Sequence, residues 1–266
     1  MTAAIVIARG GSIRLPRKNV RPFCGLPLVA WSLIAAKCAR LVDWVFLSTD
    51  DDEIEAIGRE YGAEIIRRPD WPDADQVSAN RVEAHACDEI ANLGYDMPRF
   101  VGLFPTSPLR KPDDIDRVIE RSNVTGQHKV ALMHRRRETE LFKDIAGLVG
   151  KMVLFDKEQK YFDMNGGAAV ITNTAWYKYQ QERIKAAFGD HDLAIEEVLK
   201  VPFDYPVQES GFVECEQWQC TEVDTLPEFE LAEVLMEHYL LKGRGPEIYY
   251  EYAAALYESA GNWRQQ

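Results

Sequence analysis

The sequence predicts an α/β protein, a three-layer, doubly wound, mostly parallel sheet of the Rossmann-like kind with a small appended arm. Three observations predict it. Short apolar runs alternate with amphipathic stretches through the first half of the chain. Glycine- or proline-containing turns follow several of the apolar runs. A chain of 266 residues with 46% hydrophobic content is long enough for one large core with an appended subdomain. Alternation of this kind means parallel strands joined by right-handed crossovers.

The apolar run Ala3–Ala8 opens the series as a strand. Further strands are predicted at Trp44–Ser48, Glu64–Ile66, Phe100–Phe104 and Lys129–Met133. Helices are predicted between them at Pro27–Ala39, Asp52–Tyr61, Ser78–Leu93 and Pro112–Arg121. After Met133 the pattern changes. Residues 140–165 read as irregular hairpin strands around Gly147 and Gly150, and Met164-Asn165-Gly166-Gly167 leads into the apolar run Ala168–Ile171. An excursion without its own core must bury its apolar side elsewhere, and a second copy of the chain is the expected cover. Helical periodicity returns at Leu226–Leu241 and Glu247–Ala260. The expectation is one domain over residues 1–266, with a dimerisation arm at about 134–165 and a helical C-terminal segment at about 226–266.

The net charge of −12 argues against an extended nucleic-acid surface, which needs clustered Lys and Arg along one face. No apolar run approaches the ~18 residues needed to span a bilayer, and the first eight residues lack signal-peptide features. A cytoplasmic protein acting on neither membranes nor nucleic acid is expected. Cys24, Cys38, Cys87, Cys215 and Cys220 form no C-x-x-C pair and read as reduced and structural. The five histidines show no zinc spacing.

Against that acidic background, residues 8–21 carry five positive charges and no negative one on a Gly-Gly-Ser turn just past the first strand. Gly10 and Gly11 have no Cβ to hold a phosphate away from the backbone, and Arg9, Arg14, Arg17 and Lys18 supply cationic donors. The segment reads as a polyphosphate clamp that is neither a P-loop nor a dinucleotide fingerprint. In a doubly wound sheet, ligands bind at the carboxyl ends of the strands. This loop and Pro105-Thr106-Ser107-Pro108-Leu109-Arg110 therefore should meet in one cleft.

The opening Arg9-Gly10-Gly11-Ser12-Ile13-Arg14-Leu15-Pro16-Arg17-Lys18-Asn19 resembles that of the acylneuraminate cytidylyltransferase family, which includes CMP-sialic acid synthetases and is related to CMP-Kdo synthetases. It departs at Ile13, where the family has lysine. Ser48-Thr49-Asp50-Asp51, Tyr61-Gly62-Ala63-Glu64 with Arg68-Pro69, Asp75 with Ser78, Pro105–Arg110 and Val223-Asp224-Thr225 resemble later family blocks, in the family's order.

The resemblance implies a nucleotidyltransferase fold and transfer of CMP from CTP to a 3-deoxy-ulosonic, sialic-acid-like sugar acid, with release of pyrophosphate and dependence on Mg²⁺. It implies Lys18 and Arg9 as catalytic cations at the phosphates, and Ala8, Gly10, Gly11, Ser12, Arg14, Asn19, Arg68 and Ser78 as nucleotide contacts. Two of these have plainer readings, Lys18 as a snorkelling surface lysine and Arg68 as an exposed loop residue.

Mg²⁺ prefers one or two carboxylates together with phosphates and water, and Glu222 and Asp224, spaced i, i+2, share a face on extended backbone. Asp224 falls on the family's metal-binding aspartate. The same pair also reads as an N-terminal charge cap for the helix beginning near Leu226.

For the acceptor, the resemblance points to Phe104, Thr106, Ser107, Lys143, Asn165 and Ala169, with Lys143 reaching the neighbouring subunit of a homodimer. Phe104 and Ala169 replace a glutamine and an aromatic residue of sialic-acid enzymes, so a differently substituted sugar is expected. Two other readings stand beside this one. The first is a nucleotidyltransferase with a different base or acceptor. The second is a nucleotide-binding regulatory homologue, which Ile13 keeps open because isoleucine cannot compensate phosphate charge.

Overall fold

The structure is a computed structural model that describes residues 1–71, 77–136, 153–155, 161–163, 169–188 and 210–260. Its strands are β1 (Thr2–Ile7), β2 (Pro22–Phe23), β3 (Leu26–Pro27), β4 (Trp44–Thr49), β5 (Glu64–Arg67), β6 (Arg99–Leu103), β7 (Lys129–Arg136), β8 (Val153–Phe155), β9 (Tyr161–Asp163), β10 (Val170–Asn173) and β11 (Ser210–Glu214). Its α-helices are α1 (Leu28–Cys38), α2 (Asp52–Glu60), α3 (Ala79–Asn92), α4 (Pro112–Thr125), α5 (Thr174–Phe188), α6 (Leu226–Leu235) and α7 (Glu247–Ala260).

The main sheet runs β5-β4-β1-β6-β10-β7-β9-β8, with β11 added on β7. Strand β1 pairs in parallel with both β4 and β6, so the chain moves outward through β4 and β5 and then returns to the other side of β1. The crevice at the carboxyl ends of β1 and β6 is thus the topological switch point of the sheet. Strand β10 lies antiparallel to β6 and β7, since the chain re-enters the sheet from the arm rather than from a helical crossover.

Side chains alternate across β1. Ala4 and Val6 join Val45, Leu47, Val101 and Leu103 beneath α1 and α4, while Ala3, Ile5 and Ile7 join Phe46, Ile66 and Phe100 beneath α3 and Tyr177 of α5. Two apolar cores, one on each face, make the three layers. Every strand and helix expected through Met133 is present within a few residues, the largest difference being α4, which continues to Thr125 and stops where Gly126 adopts a positive φ of 69°.

Several elements lie outside the expectations. Helix α5 has one deeply buried described residue, Tyr177, and so little aliphatic periodicity to betray it. Strand β11 is a five-residue edge addition containing Gly211. A turn of 3₁₀-helix at Lys18–Val20 follows Pro16 directly. The C-terminal helical stretch is divided, α6 passing into a π-helical turn at Met236–Leu241 and breaking at Lys242 and Gly243, both at positive φ. Of the expected arm, β8 and β9 pair with each other and β9 pairs with His134–Arg136, while the rest of that segment lies outside the described residues. Among the described residues no helix is long and apolar enough to cross a membrane.

Candidate active site

The loop after β1 is built around two aspartates at the end of β4. The Gly10 amide donates to Asp50 at 2.8 Å, and a Cβ on Gly10 would stand 2.4 Å from a carboxylate oxygen of Asp51. Asp51 also caps α2 by accepting the amides of Glu53 and Ile54. Glycine is needed at position 10 because the chain passes directly against this cap. In this conformation the Gly10 amide is engaged by a carboxylate and the Ser12 amide by the Gly10 carbonyl at 3.0 Å, so a phosphate would have to displace these partners. Ala8 extends the β1 pairing to Ser48, and Gly11 is exposed and does not line the cleft.

Arg17 is a correction to the clamp. It sits in the left-handed region at φ 56° and its guanidinium turns onto Asp51 and Glu53 at the start of α2, away from the cleft. The cationic wall consists instead of Arg9, Arg14 and Lys18. Lys18 is only 8% exposed, which removes the snorkelling alternative. Its Nζ donates to the Val223 carbonyl at 2.7 Å and to Asp224 Oδ1 at 2.8 Å, while Arg14 donates to Asp224 Oδ2 at 2.6 Å. Asn19 donates its Nδ2 to the Arg9 carbonyl at 2.8 Å and leaves a buried Oδ1 with no protein partner, an acceptor available to a ligand N–H donor.

The acidic wall is positioned by the 223 backbone. Val223 is fully buried and its amide donates to the Thr106 carbonyl at 2.7 Å, tying the loop after β6 to the loop before α6. Glu222 and Asp224, flanking a buried residue, both point outward. The N-cap of α6 is Thr225, and Glu228 closes a capping box by accepting from the amides of Asp224 at 3.0 Å and Thr225 at 2.8 Å. The hydrogen-bonded cap is thus made by the neighbours of Asp224, while Asp224 itself faces Lys18. Partial burial, reinforced by the charge of Asp224, pushes the Glu222 carboxyl above the usual carboxylate range. Two hard carboxylate oxygens beside a cationic wall are a donor set of the kind Mg²⁺ takes, which leaves the remaining positions to phosphate and water. No cluster of three or more ligating side chains occurs among the described residues.

The walls enclose a cleft of about 480 Å³ whose lining includes Arg9, Lys18, Asn19, Arg68, Phe104 and Asp224. Arg68 is half-buried and clamped to Ser48, through Nε to the hydroxyl at 3.1 Å and NH2 to the carbonyl at 2.9 Å. Burial lowers its pKa to about 10. It is a fixed wall residue, not an exposed loop arginine. Ile13, 71% exposed, also borders the cleft.

Other expected contacts sit elsewhere. Ser78 accepts the Arg81 amide as the N-cap of α3, between the lining residues Val77 and Ala79. Thr106 lines the cleft, but Ser107 is fully buried behind it with its hydroxyl unpaired in the structure. Ala169 is fully buried in the core and is not part of the lining, so it does not shape this cleft as an acceptor contact. Asp75, Lys143 and Asn165 lie outside the described residues.

Sequence reasoning assigned no roles within Ser48-Thr49-Asp50-Asp51, yet Ser48 holds Arg68, Asp50 holds the Gly10 amide and Asp51 holds Arg17. It also missed Arg110. This arginine is 1% exposed and bridges Ser32 Oγ at 2.9 Å and the Phe104 carbonyl at 2.8 Å, while its own carbonyl accepts from the Tyr249 hydroxyl at 3.0 Å. It braces the loop after β6 from behind. A charged residue closing an apolar turn was the available signal.

A family model described as cytidylyltransferase matches residues 3–251. An N-acylneuraminate cytidylyltransferase of Oncorhynchus mykiss is 28% identical over 218 residues, 78% of this chain and 49% of that protein. A pseudaminic acid cytidylyltransferase of Campylobacter jejuni is 34% identical over 119 residues, 44% of this chain and 51% of that protein. The chain thus spans about half the length of these curated relatives. Among solved structures, a CMP:2-keto-3-deoxy-manno-octonic acid synthetase complexed with CTP superposes with a TM-score of 0.67 at 16% identity, covering 90% of this chain and 99% of that one.

Proposed function

Because the chain belongs to the cytidylyltransferase family, we propose that it transfers CMP from CTP to an acidic, nonulosonic-acid sugar with release of pyrophosphate. The observation that carries this reading is the pairing of Lys18 with Asp224 across the cleft at the switch point. A buried cation is held there against a carboxylate by two loops that meet only in the fold. The names of the relatives supply the acceptor class, since they act on N-acylneuraminate and pseudaminic acid.

In this reading the sugar hydroxyl attacks the α-phosphorus and pyrophosphate leaves, so negative charge grows on the phosphate oxygens. Lys18, already desolvated and fixed by two hydrogen bonds, stabilises that charge without reorganising. Arg14 and Arg9 neutralise the outer phosphates. Asn19 Oδ1 and the clamped Arg68 offer an acceptor and a donor for orienting the nucleoside. Asp224, with Glu222 beside it, would hold a Mg²⁺ that supplies charge neutralisation at the triphosphate. Entry of the triphosphate gives Lys18 and Arg14 new anionic partners and frees Asp224 for that role.

The same reading includes a homodimer in which the segment at about 134–165 completes the partner's site through Lys143. The pairing of β9 on the end of β7 supports it, because it places β8 and β9 at the outer end of the sheet, away from the β1–β6 crevice.

The test is product mass spectrometry with CTP, Mg²⁺ and a panel of ulosonic acids. A CMP-sugar and equimolar pyrophosphate are expected, with CTP preferred to ATP. CTP binding without turnover across the panel would instead favour a regulatory homologue, and full activity from a monomer in sedimentation would remove the shared site.

A further inference from the structure

Cys215 and Cys220 bracket the short 3₁₀ turn Gln217–Cys220, and their sulfurs stand 3.5 Å apart. Both are half-buried and neither is in a disulfide. The Cys215 amide donates to the Met133 carbonyl at 2.8 Å and its Sγ approaches the same oxygen at 3.4 Å, so this cysteine is tied to the end of β7. Cys220 ends the turn and leads within four residues to Asp224, past Glu222 and the Val223 carbonyl that holds Lys18. We infer that Cys215 and Cys220 form a reversible disulfide that acts as a redox switch on the acidic wall of the cleft. The effect on turnover rests on the transfer reaction proposed above, whereas formation of the bond does not.

Closing the bond requires the sulfurs to approach from 3.5 Å to about 2 Å. Cys215 is anchored on the sheet, and the part of this movement that Cys220 takes up enters the segment leading to Asp224. The turn resists as a unit, because the buried Gln219 donates to Asp114 at 2.5 Å and accepts the Glu216 amide at 3.1 Å. The displacement therefore passes forward into Thr221 and Glu222, towards the strut between Val223 and Thr106. A shift there moves Asp224 relative to Lys18, and misplacement of this size in a charge-stabilising site is costly to turnover.

The oxidant is a small disulfide, RSSR. One cysteine sulfur attacks it, forming a mixed disulfide and releasing one RS group, which takes up the proton that cysteine lost. The second cysteine sulfur then attacks the first, breaking the bond to the remaining R group, which leaves as RSH with the second proton. The two cysteines lose two electrons and two hydrogens in all, and RSSR is reduced to two RSH.

The full chain is equilibrated with oxidised and reduced glutathione at a series of ratios, then alkylated, digested and mapped by mass spectrometry. A parallel sample is assayed for pyrophosphate release and for CTP affinity by calorimetry. The expected result is a linked Cys215–Cys220 peptide lighter by two hydrogens. Turnover should fall at least about fivefold in step with it, the lower range for a regulatory coupling, and recover with dithiothreitol. Cys220→Ser and Cys215→Ser should each abolish both the link and the response, the first guarding against a fold defect in the second. If the linked peptide never forms in folded protein, the site is refuted. If it forms and neither turnover nor CTP affinity changes, the switch is refuted and the proposed transfer stands. Absence of turnover in the fully reduced protein would count against the transfer reading alone, and the CTP affinity would then decide the switch.

Discussion

Lys18 illustrates how much depends on one side chain. Lys18 is 8% exposed and its Nζ has two oxygen partners, so removing it leaves the Val223 carbonyl without its donor, Asp224 with Arg14 alone and, in the proposed reaction, the phosphates without a fixed cation. Lys18→Ala and Asp224→Asn are each expected to lower kcat roughly 10²-fold or more with far-UV circular dichroism unchanged, the loss expected when transition-state charge stabilisation is removed. An Asp224→Asn enzyme whose Mg²⁺ dependence is unaltered would exclude Asp224 from the cation site. Gly10→Ala should act differently. The new Cβ meets the Asp51 side chain close to its backbone, at 2.9 Å from Cβ, so relief requires shifting the α2 cap. A loss of roughly 1–3 kcal/mol in urea denaturation is expected, as for other forced overpacking, together with a raised KM for CTP. Phe104 is an apolar ring on the cleft wall, and under the proposed function a sugar hydroxyl facing it would be left unpaired. N-acetylneuraminate should therefore be used at least about tenfold less well, in kcat/KM, than the preferred acceptor. Equal use of all acceptors would make Phe104 a packing residue only. The loop stood out because glycine beside clustered cations is unusual in sequence, and Arg9, Arg14 and Lys18 of it line the cleft. Arg17 was misread because sequence shows that a charge is present and not where it points.

At the level of elements, the site depends on how helices begin. Helix α6 starts with a reciprocal box between Thr225 and Glu228, and the same glutamate holds the Asp224 amide. Glu228→Ala should cost about 1 kcal/mol of stability through the cap and, in addition, lower kcat by releasing the Asp224 backbone. A variant that loses stability while keeping full kcat would separate the cap from the site. The hydrogen bonds from these donors hold the Glu228 carboxyl below its usual range, so the cap persists well into mild acid. The boundaries of α2 and α3 and the start of α4 were readable because capping residues and Pro112 punctuate the backbone locally, whereas the end of α4 at Gly126 was not read. Helix α5 and strand β11 were not, since what stabilises them is contact with distant elements: Tyr177 against Phe100 in one case and pairing with β7 in the other.

Across the whole molecule, one buried carboxyl shapes the response to pH. Glu83 of α3 sits over Gly102 of β6, where a Cβ would stand 2.5 Å from its Oε1. Burial raises its pKa from 4.5 to about 7, with the charge of Lys129 and a hydrogen bond with Tyr177 opposing. Between those two values the folded protein retains a proton that the unfolded chain has released, so this group's contribution to stability falls as pH rises across the window and stays unfavourable above it. Glu83→Gln should thus be more stable than the parent at pH 8, by about 1–3 kcal/mol, with the difference vanishing or reversing near pH 4.5. Denaturant midpoints at the two pH values measure it. A constant difference would mean that Glu83 is not the titrating group.

Local patterns were enough to determine the order of strands and helices up to Met133, the position of the basic glycine-rich loop and the motifs that identify the family. Each depends on neighbours within a few residues: apolar runs, turn glycines and charge clusters. Which of those residues act together was decided in three dimensions. Lys18 and Asp224 are 206 positions apart and meet because β1 and β6 adjoin at the switch point, where the Val223 backbone is hydrogen-bonded to the loop after β6. The burial of Ser107 and Ala169, the turning of Arg17 onto α2 and the approach of Cys215 to Cys220 follow from the same packing. Sequence spacing specifies the distance between two residues along the chain, whereas chemistry depends on distance through space, and only the closing of the sheet and its helices sets the second.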